Sequence, residues 1–166
     1  LQVPNSNWST APRHVVLVLN TTCPVCNTSL PFYRQLQDHP KYGSDFKVTV
    51  LTSEPAELMT AWLLEHGIQG WRVLTTPYPL RMGFVLTPTF LIVNSTGTIS
   101  DLVEGQLDRA QELLAIARIG DPTTAPVVDS HAFAYISESG YRELRASSKT
   151  LLLDVSDRVT NERDMS

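Results

Sequence analysis

The sequence predicts an α/β protein built on a mixed sheet with helices on both faces. Short apolar runs rich in β-branched residues alternate with stretches of helical periodicity, in the order βα, βα, β, β-hairpin, α. Two of the later strands are joined by Asn94-Ser95-Thr96-Gly97, a turn that makes a hairpin and so makes the sheet mixed. At 166 residues and 42% hydrophobic content, the chain can build one proper core and an appendage.

Leu1 to Arg13 is polar and punctuated by proline, a loosely held lead-in (residues 1–13) that Trp8 pins to the body. His14 to Leu19, with Val15-Val16-Leu17-Val18-Leu19 at its heart, has the composition of a buried strand. Beyond Cys23 a helix is expected, with Leu30, Phe32, Tyr33 and Leu36 at helical spacing. Pro31 should bend it, and Pro40 should stop it after Asp38-His39. Phe46 to Leu51 alternates as a second strand. Ser53-Glu54-Pro55 opens the next helix with Ser53 as N-cap; Leu58, Trp62 and Leu63 are expected inside and Gly67 at the C-terminus. Trp71 to Leu74 reads as a short strand, and Thr75 to Phe84 as mostly loop. The hairpin strands follow, Val85 to Asn94 and Thr98 to Glu104. A last helix is expected to bury Leu107, Ala110, Leu113, Leu114 and Ala117.

Charge and hydropathy exclude several roles. The net charge is −4 and no basic run occurs, so nucleic acid is not an expected partner. No apolar stretch approaches the ~18–20 residues needed to span a bilayer. Nor does Leu1-Gln2-Val3-Pro4 begin a basic-then-apolar signal; it reads as a cut edge, with any signal or anchor absent from this chain. Asn-x-Ser/Thr triplets at Asn7, Asn20, Asn27 and Asn94 are read as coincidence.

The chemistry concentrates in Asn20-Thr21-Thr22-Cys23-Pro24-Val25-Cys26-Asn27, which holds both cysteines of the chain. Chance would place two cysteines at this spacing only about one time in eighty. The pair lies where a strand hands over to a helix, with Cys23 at the helix start and Pro24 at the first helical position. Unpaired N–H groups there favour thiolate over thiol. Cys23 is therefore the expected nucleophile, and Cys26, one turn in, the resolving thiol. A disulfide in so small a ring adds little global stability, so its use is chemical. Two duller roles compete. A zinc site needs four ligands, but His14, His39, His66 and His131 show no ligand-like spacing to the pair. An inert structural disulfide fits the strand-to-helix setting poorly.

Four motifs together resemble the thioredoxin fold: Cys23–Cys26, Pro31, Thr87-Pro88-Thr89 and the Val93 to Gly97 turn. More narrowly, Cys-Pro-Val-Cys is similar to the TlpA-like and ResA-like extracytoplasmic thiol–disulfide oxidoreductases. These include the cytochrome c maturation and methylamine dehydrogenase accessory (MauD-like) types. The match spans residues 14–118 of an expected domain over 14–120. The resemblance implies that Pro88 follows a cis peptide bond and lies against the cysteine pair. Thr87 would present its backbone to an extended substrate beside Pro24 and Val25. It also implies a protein substrate carrying thiols or disulfides, a membrane-bound electron donor and an extracytoplasmic location. The Cys23–Cys26 disulfide would be the redox centre, with no other cofactor and no metal.

The sequence departs from that pattern in two places. Thioredoxins carry a buried acid on the first strand, six residues before the first cysteine; here that position is Leu17. Proton handling then falls to water or to an acid elsewhere, such as Glu54 or Glu57. The family's Trp-x-x-Cys lead is replaced by Asn20-Thr21-Thr22. Pro24-Val25 offers no polar side chain to favour the thiolate strongly, which points to a reductant more than an oxidant. Two other functions compete. A peroxiredoxin needs a proline that this loop lacks, and a non-catalytic interaction domain would not need both cysteines. After Gly120, Asp121 to Pro126 reads as a linker. Residues 121–166 read as a βαβ-like extension, similar over about 35 residues to the opening of a rhodanese-like domain but without its cysteine loop.

Overall fold

The computed structural model describes residues 7–76, 86–121 and 123–124. The expected loop after Thr76, the start of the strand at Val85, and nearly all of the linker and extension lie outside those residues.

Five strands form one sheet. β1 (Arg13–Val18) is central, flanked by parallel β2 (Phe46–Thr52) and antiparallel β4 (Thr89–Asn94). β3 (Arg72–Thr75) extends the β2 edge in parallel, and β5 (Ile99–Glu104) pairs antiparallel with β4, giving the order β3-β2-β1-β4-β5. Val18 pairs with Leu51 on one side and Thr89 on the other. That register brings the loop leaving β1 beside the Thr87-Pro88 entry to β4, and so fixes where the chemistry sits.

β1 is covered on both sides, as its unbroken apolar run requires. Because side chains alternate across a strand, its residues divide between two clusters. Val15, Leu17 and Leu19 join Cys26, Phe32, Tyr33, Leu36, Met59, Trp62, Ala115 and Ile119 in the larger one. Val16 and Val18 join Leu51, Leu91 and Val93, with Trp8 and Leu74 packed against them. Each such aliphatic side chain taken from water contributes ~1.5–3 kcal/mol, so β1 is the strand the core depends on most.

Four expectations need correction. The helix after Cys23 is not one bent helix but two: α1 (Pro24–Thr28) and α2 (Leu30–Gln37), meeting at Ser29. Pro31 supplies no N–H and its ring crowds the carbonyl four residues back, so the chain restarts there instead of bending. Ser53 does not cap the next helix, α3 (Ala56–Glu65). Pro55 occupies the N-cap, and the hydroxyl one turn earlier, Thr52 Oγ1, accepts from Glu54 N at 3.1 Å. Leu58 is 51% exposed, while Met59, Trp62 and Leu63 are buried.

The last correction concerns α4 (Arg109–Gly120), which begins with a reciprocal capping box between Asp108 and Gln111. It buries Ala115 and Ile119, with Leu107 just ahead of it, while Leu113 is 54% exposed and Leu114 also lies outside. The expected and observed stripes lie on nearly opposite sides of a 3.6-residue helix. Strand limits otherwise differ from expectation mainly by a residue or two, apart from β4, which begins at Thr89.

Trp8, in a 3-10 turn (Trp8–Thr10) ahead of β1, does pin the lead-in. Its ring meets His14 edge-on at 5.1 Å, and it lies so close to Gly97 that a Cβ there would sit 2.8 Å from Trp8 Cδ1.

Candidate functional site

The site grows out of the turn between β1 and α1. Asn20 Oδ1 accepts from Thr22 N at 2.9 Å and from Thr22 Oγ1 at 2.6 Å, a side-chain mimic of a backbone turn. Cys23 N donates to Asn20 O at 3.2 Å, closing the turn on the cysteine. Across the loop, Glu54 braces Thr21: its carboxylate accepts from Thr21 N and Thr21 Oγ1, both at 2.8 Å. A short polar loop is thereby held from two sides, and the residue it delivers is Cys23.

Cys23 is the N-cap of α1, with extended backbone dihedrals, and Pro24 opens the helix. Its sulfur accepts from Cys26 N at 3.3 Å. Its thiol reaches Thr87 O at 3.3 Å, on the far wall of the site. The Thr87–Pro88 peptide bond is cis, and Pro88 is buried. Pro88 O accepts from Gly105 N at 2.7 Å, which ties this loop to the end of β5. Pro24 and Val25 are exposed beside the half-buried Cys23, and Leu86, next to Thr87 in the chain, is exposed as well. The structure therefore brings Cys23, Cys26, Thr87 and Pro88 together, with Pro24 and Val25 at the rim.

Both thiols are free, and their surroundings are opposite. Burial pushes the Cys23 thiol up. Hydrogen bonds from Cys26, the Thr87 side chain and the Val25 backbone outweigh burial, so the net shift is downward. Cys26 is fully buried, and burial first, then its bond to Cys23, push it up to about 12. The outer sulfur is thus the readier of the two to ionise to the nucleophilic thiolate, and the inner one holds its proton. The unpaired N–H groups expected at the helix start do reach the sulfur, through Cys26 N, and a side-chain hydrogen bond that the sequence does not reveal adds to them from Thr87.

No carboxylate stands on β1, and Leu17 is buried in its place. Of the two acids considered, Glu54 lies at the site but its oxygens are engaged with Thr21 and, at 3.5 Å, with Thr52 Oγ1. Glu57 is exposed in the first turn of α3. Sequence reasoning missed the bracing role of Glu54. A carboxylate two residues after β2, level with the end of the parallel β1, was the available signal.

All four Asn-x-Ser/Thr asparagines are used locally. Asn7, Asn20 and Asn94 hold turns through Ser9, Thr22, and Thr96 with Thr98 respectively, and Asn27 Nδ2 donates to Cys23 O at 3.0 Å. The triplets recur because an Asn followed closely by Ser or Thr is good turn chemistry. Among the described residues no group of three or more His, Cys, Asp or Glu is placed to hold a metal, and no helix is long and apolar enough to cross a membrane.

No protein-family model matches the chain, and no curated protein matches its sequence. Solved structures do match its fold. A thiol-disulfide isomerase from Corynebacterium glutamicum shares 18% identity over 71% of this chain and 87% of its own, with a TM-score of 0.56. A secreted Mycobacterium tuberculosis disulfide oxidoreductase homologous to E. coli DsbE shares 13%, covering 68% and 83%, with a TM-score of 0.53. The N-terminal domain of PilB from Neisseria gonorrhoeae shares 15%, covering 72% and 82%, with a TM-score of 0.50.

Proposed function

The fold is thioredoxin-like, and from that premise we propose that the protein is a thiol–disulfide oxidoreductase working through Cys23 and Cys26. The observation that carries the reading is the split between two thiols three residues apart, one lowered by hydrogen bonds and the other held up to about 12 by burial. Thiolate is the attacking species in disulfide exchange, so this split assigns an order to the two sulfurs.

The Cys23 thiolate attacks a substrate disulfide, forming a mixed disulfide and releasing one substrate sulfur. Cys26 then attacks Cys23 Sγ, forming the Cys23–Cys26 disulfide and releasing the second. Two electrons pass from the pair to the substrate, and the cysteine pair is itself the redox centre. Exposed Val25, Pro24 and Leu86 around the sulfur suit an extended polypeptide thiol or disulfide as substrate. The backbone of Thr87 would pair with it once Cys23 no longer occupies its carbonyl.

The expected direction is reductive. Relatives span reduction potentials of about −270 to −120 mV, and Cys23 gains no charged or histidine partner of the kind a strong oxidant uses. A membrane-bound donor would then return electrons to the pair. The secreted mycobacterial neighbour supports placing that exchange outside the cytoplasm.

The test is reduction of insulin disulfides in dithiothreitol by the intact chain and by Cys23→Ser. The intact chain should accelerate insulin precipitation and Cys23→Ser should not. Equal rates, or no acceleration by either, would reject catalysis. Equilibration of the pair in glutathione buffers then decides the direction.

A further inference from the structure

The face of the sheet that carries the smaller core cluster changes character along its length. Toward the C-terminal ends of the strands it presents Val18, Leu51 and Leu74. Side chains alternate across a strand, so the same face carries His14 on β1, Lys47 and Thr49 on β2, and Arg72 on β3, nearer the strand starts. There it opens into a cavity of about 440 Å³, lined by these four residues, by Trp8 of the lead-in and by Tyr42 of the loop ahead of β2. Small-molecule pockets run from roughly 300 to 1,000 Å³, so the size suits a compact ligand. The cavity lies at the opposite end of β1 from Cys23.

Its chemistry is one-sided. His14 stands in register with Lys47, and Thr49 with Arg72. Adjacent strands lie ~4.8 Å apart, near enough for like charges on one face to repel. Among the described residues no aspartate or glutamate lines the cavity, and half-buried Lys47 takes part in none of the ion pairs. His14 is 4% exposed, and its Nε2 donates to Trp8 O at 2.9 Å, which anchors the ring. Burial above all holds His14 below the usual histidine value, opposed by the Trp8 bond and aided by the Lys47 and Arg72 charges. Two cationic side chains and a histidine therefore share a cavity whose own lining holds no carboxylate. An anion placed among them turns mutual repulsion into attraction.

We propose that this cavity binds a small organic oxyanion, with Lys47 and Arg72 on its charged group and Trp8 and Tyr42 against its apolar body. A guanidinium forks onto two oxygens of a phosphate or carboxylate, and an ammonium adds a point charge. Thr49, in register with Arg72, contributes a hydroxyl. Aromatic side chains give large apolar contact area beside a few polar groups, the usual make-up of a ligand pocket. The site shares no residue with the cysteine pair or the Thr87–Pro88 loop, so it does not depend on the exchange reading.

The experiment is isothermal titration calorimetry of the intact chain at constant ionic strength, with phenyl phosphate, phenylacetate and uncharged benzyl alcohol as probes. At least one anion should bind once per chain, and benzyl alcohol should not bind. Tighter binding of phenyl phosphate assigns a phosphate ester, and tighter binding of phenylacetate a carboxylate. Lys47→Gln and Arg72→Gln should each weaken the tighter anion about tenfold, the value of one hydrogen bond to a charged group, while Lys47→Arg retains it. Arg109→Gln removes an exposed charge of α4 outside the cavity and should leave binding unchanged. Without ligand, Lys47→Gln should melt no lower than the natural protein, because it relieves repulsion and breaks no ion pair. With ligand, the natural protein should gain more in melting temperature than Lys47→Gln does. No binding of either anion at millimolar concentration, or equal binding of benzyl alcohol, overturns the proposal. So does an affinity that Lys47→Gln and Arg72→Gln leave unchanged, or that Arg109→Gln lowers as much as they do.

Discussion

The two ends of β1 meet the same physical problem and solve it differently. A helix leaves N–H groups unmatched at its start and carbonyls unmatched at its end. At the C-terminal end of β1, the start of α1 points the Cys26 N–H at Cys23 Sγ. At the N-terminal end, the carbonyls closing α4 are met by cations: Arg13 Nη1 donates to Arg118 O at 3.1 Å and to Ile119 O, and Lys41 Nζ donates to Gly120 O at 3.2 Å. Where the partner titrates, the hydrogen bonds alter its acidity and so its reactivity. Where the partner is a side chain with no part in the exchange, they yield stability alone. Helix ends are thus common scaffolding, and chemistry appears at the one filled by a sulfur.

The sharpest way to break this contrast is at the reactive end. Cys26→Ser leaves the Cys23 thiol and its backbone hydrogen bonds in place but removes the resolving sulfur. Insulin turnover should fall to background while Cys23 still reacts, so the protein accumulates as a stable mixed disulfide with substrate, visible as a mass adduct. Persistent turnover in Cys26→Ser would show that an outside thiol resolves the intermediate.

The opposite end should respond in the other currency. Gly97 has φ +85°, and an added Cβ would meet Trp8 Cδ1 at 2.8 Å. Gly97→Ala therefore combines a left-handed backbone with a clash against the ring that anchors the lead-in. It should lower unfolding free energy by about 1–3 kcal/mol in denaturant titration. The rate of Cys23 alkylation in the folded protein should not change. If alkylation slows as well, the two ends are coupled through β1 and are not separate.

What could be read from the sequence follows the same division. β1 is legible because Val15 to Leu19 is short, apolar and rich in β-branched residues, and the pair Cys23–Cys26 because its spacing is rare. The mixed sheet follows from the order of elements and the Asn94–Gly97 turn, and the five strands have it. The face of α4 was not legible. Leu113 and Leu114 form as good a stripe as Ala115 and Ile119, and the choice is made by packing in the cluster that Ala115 and Ile119 share with Val15 and Leu17. Tyr33 was read as one more apolar residue at helical spacing. That reading is right for its ring and silent about its hydroxyl, because periodicity reports burial and not hydrogen-bond partners. Glu54 was visible as an acid before a helix, but its tie to Thr21 depends on the parallel pairing of β1 with β2.

The smallest effect concerns stability at alkaline pH, and again separates the two ends. Cys26 is raised in the folded protein from 9.0 to about 12. Between those limits the folded state keeps a proton that the unfolded state has released, so the unfolded chain binds fewer protons and stability falls as pH rises. Below the unfolded value the contribution is fully present; it begins to fade near pH 9 and is exhausted near pH 12. One unit above the unfolded value the loss is about 1.4 kcal/mol. Reduced protein should therefore show a steeper alkaline decline in melting temperature than Cys26→Ala, which has no proton to hold. Arg13→Ala, at the cationic end, should lower the whole curve without changing that slope. Parallel curves for the natural protein and Cys26→Ala would mean that the inner thiol ionises as readily folded as unfolded, and the division of labour between the two sulfurs would lose its basis.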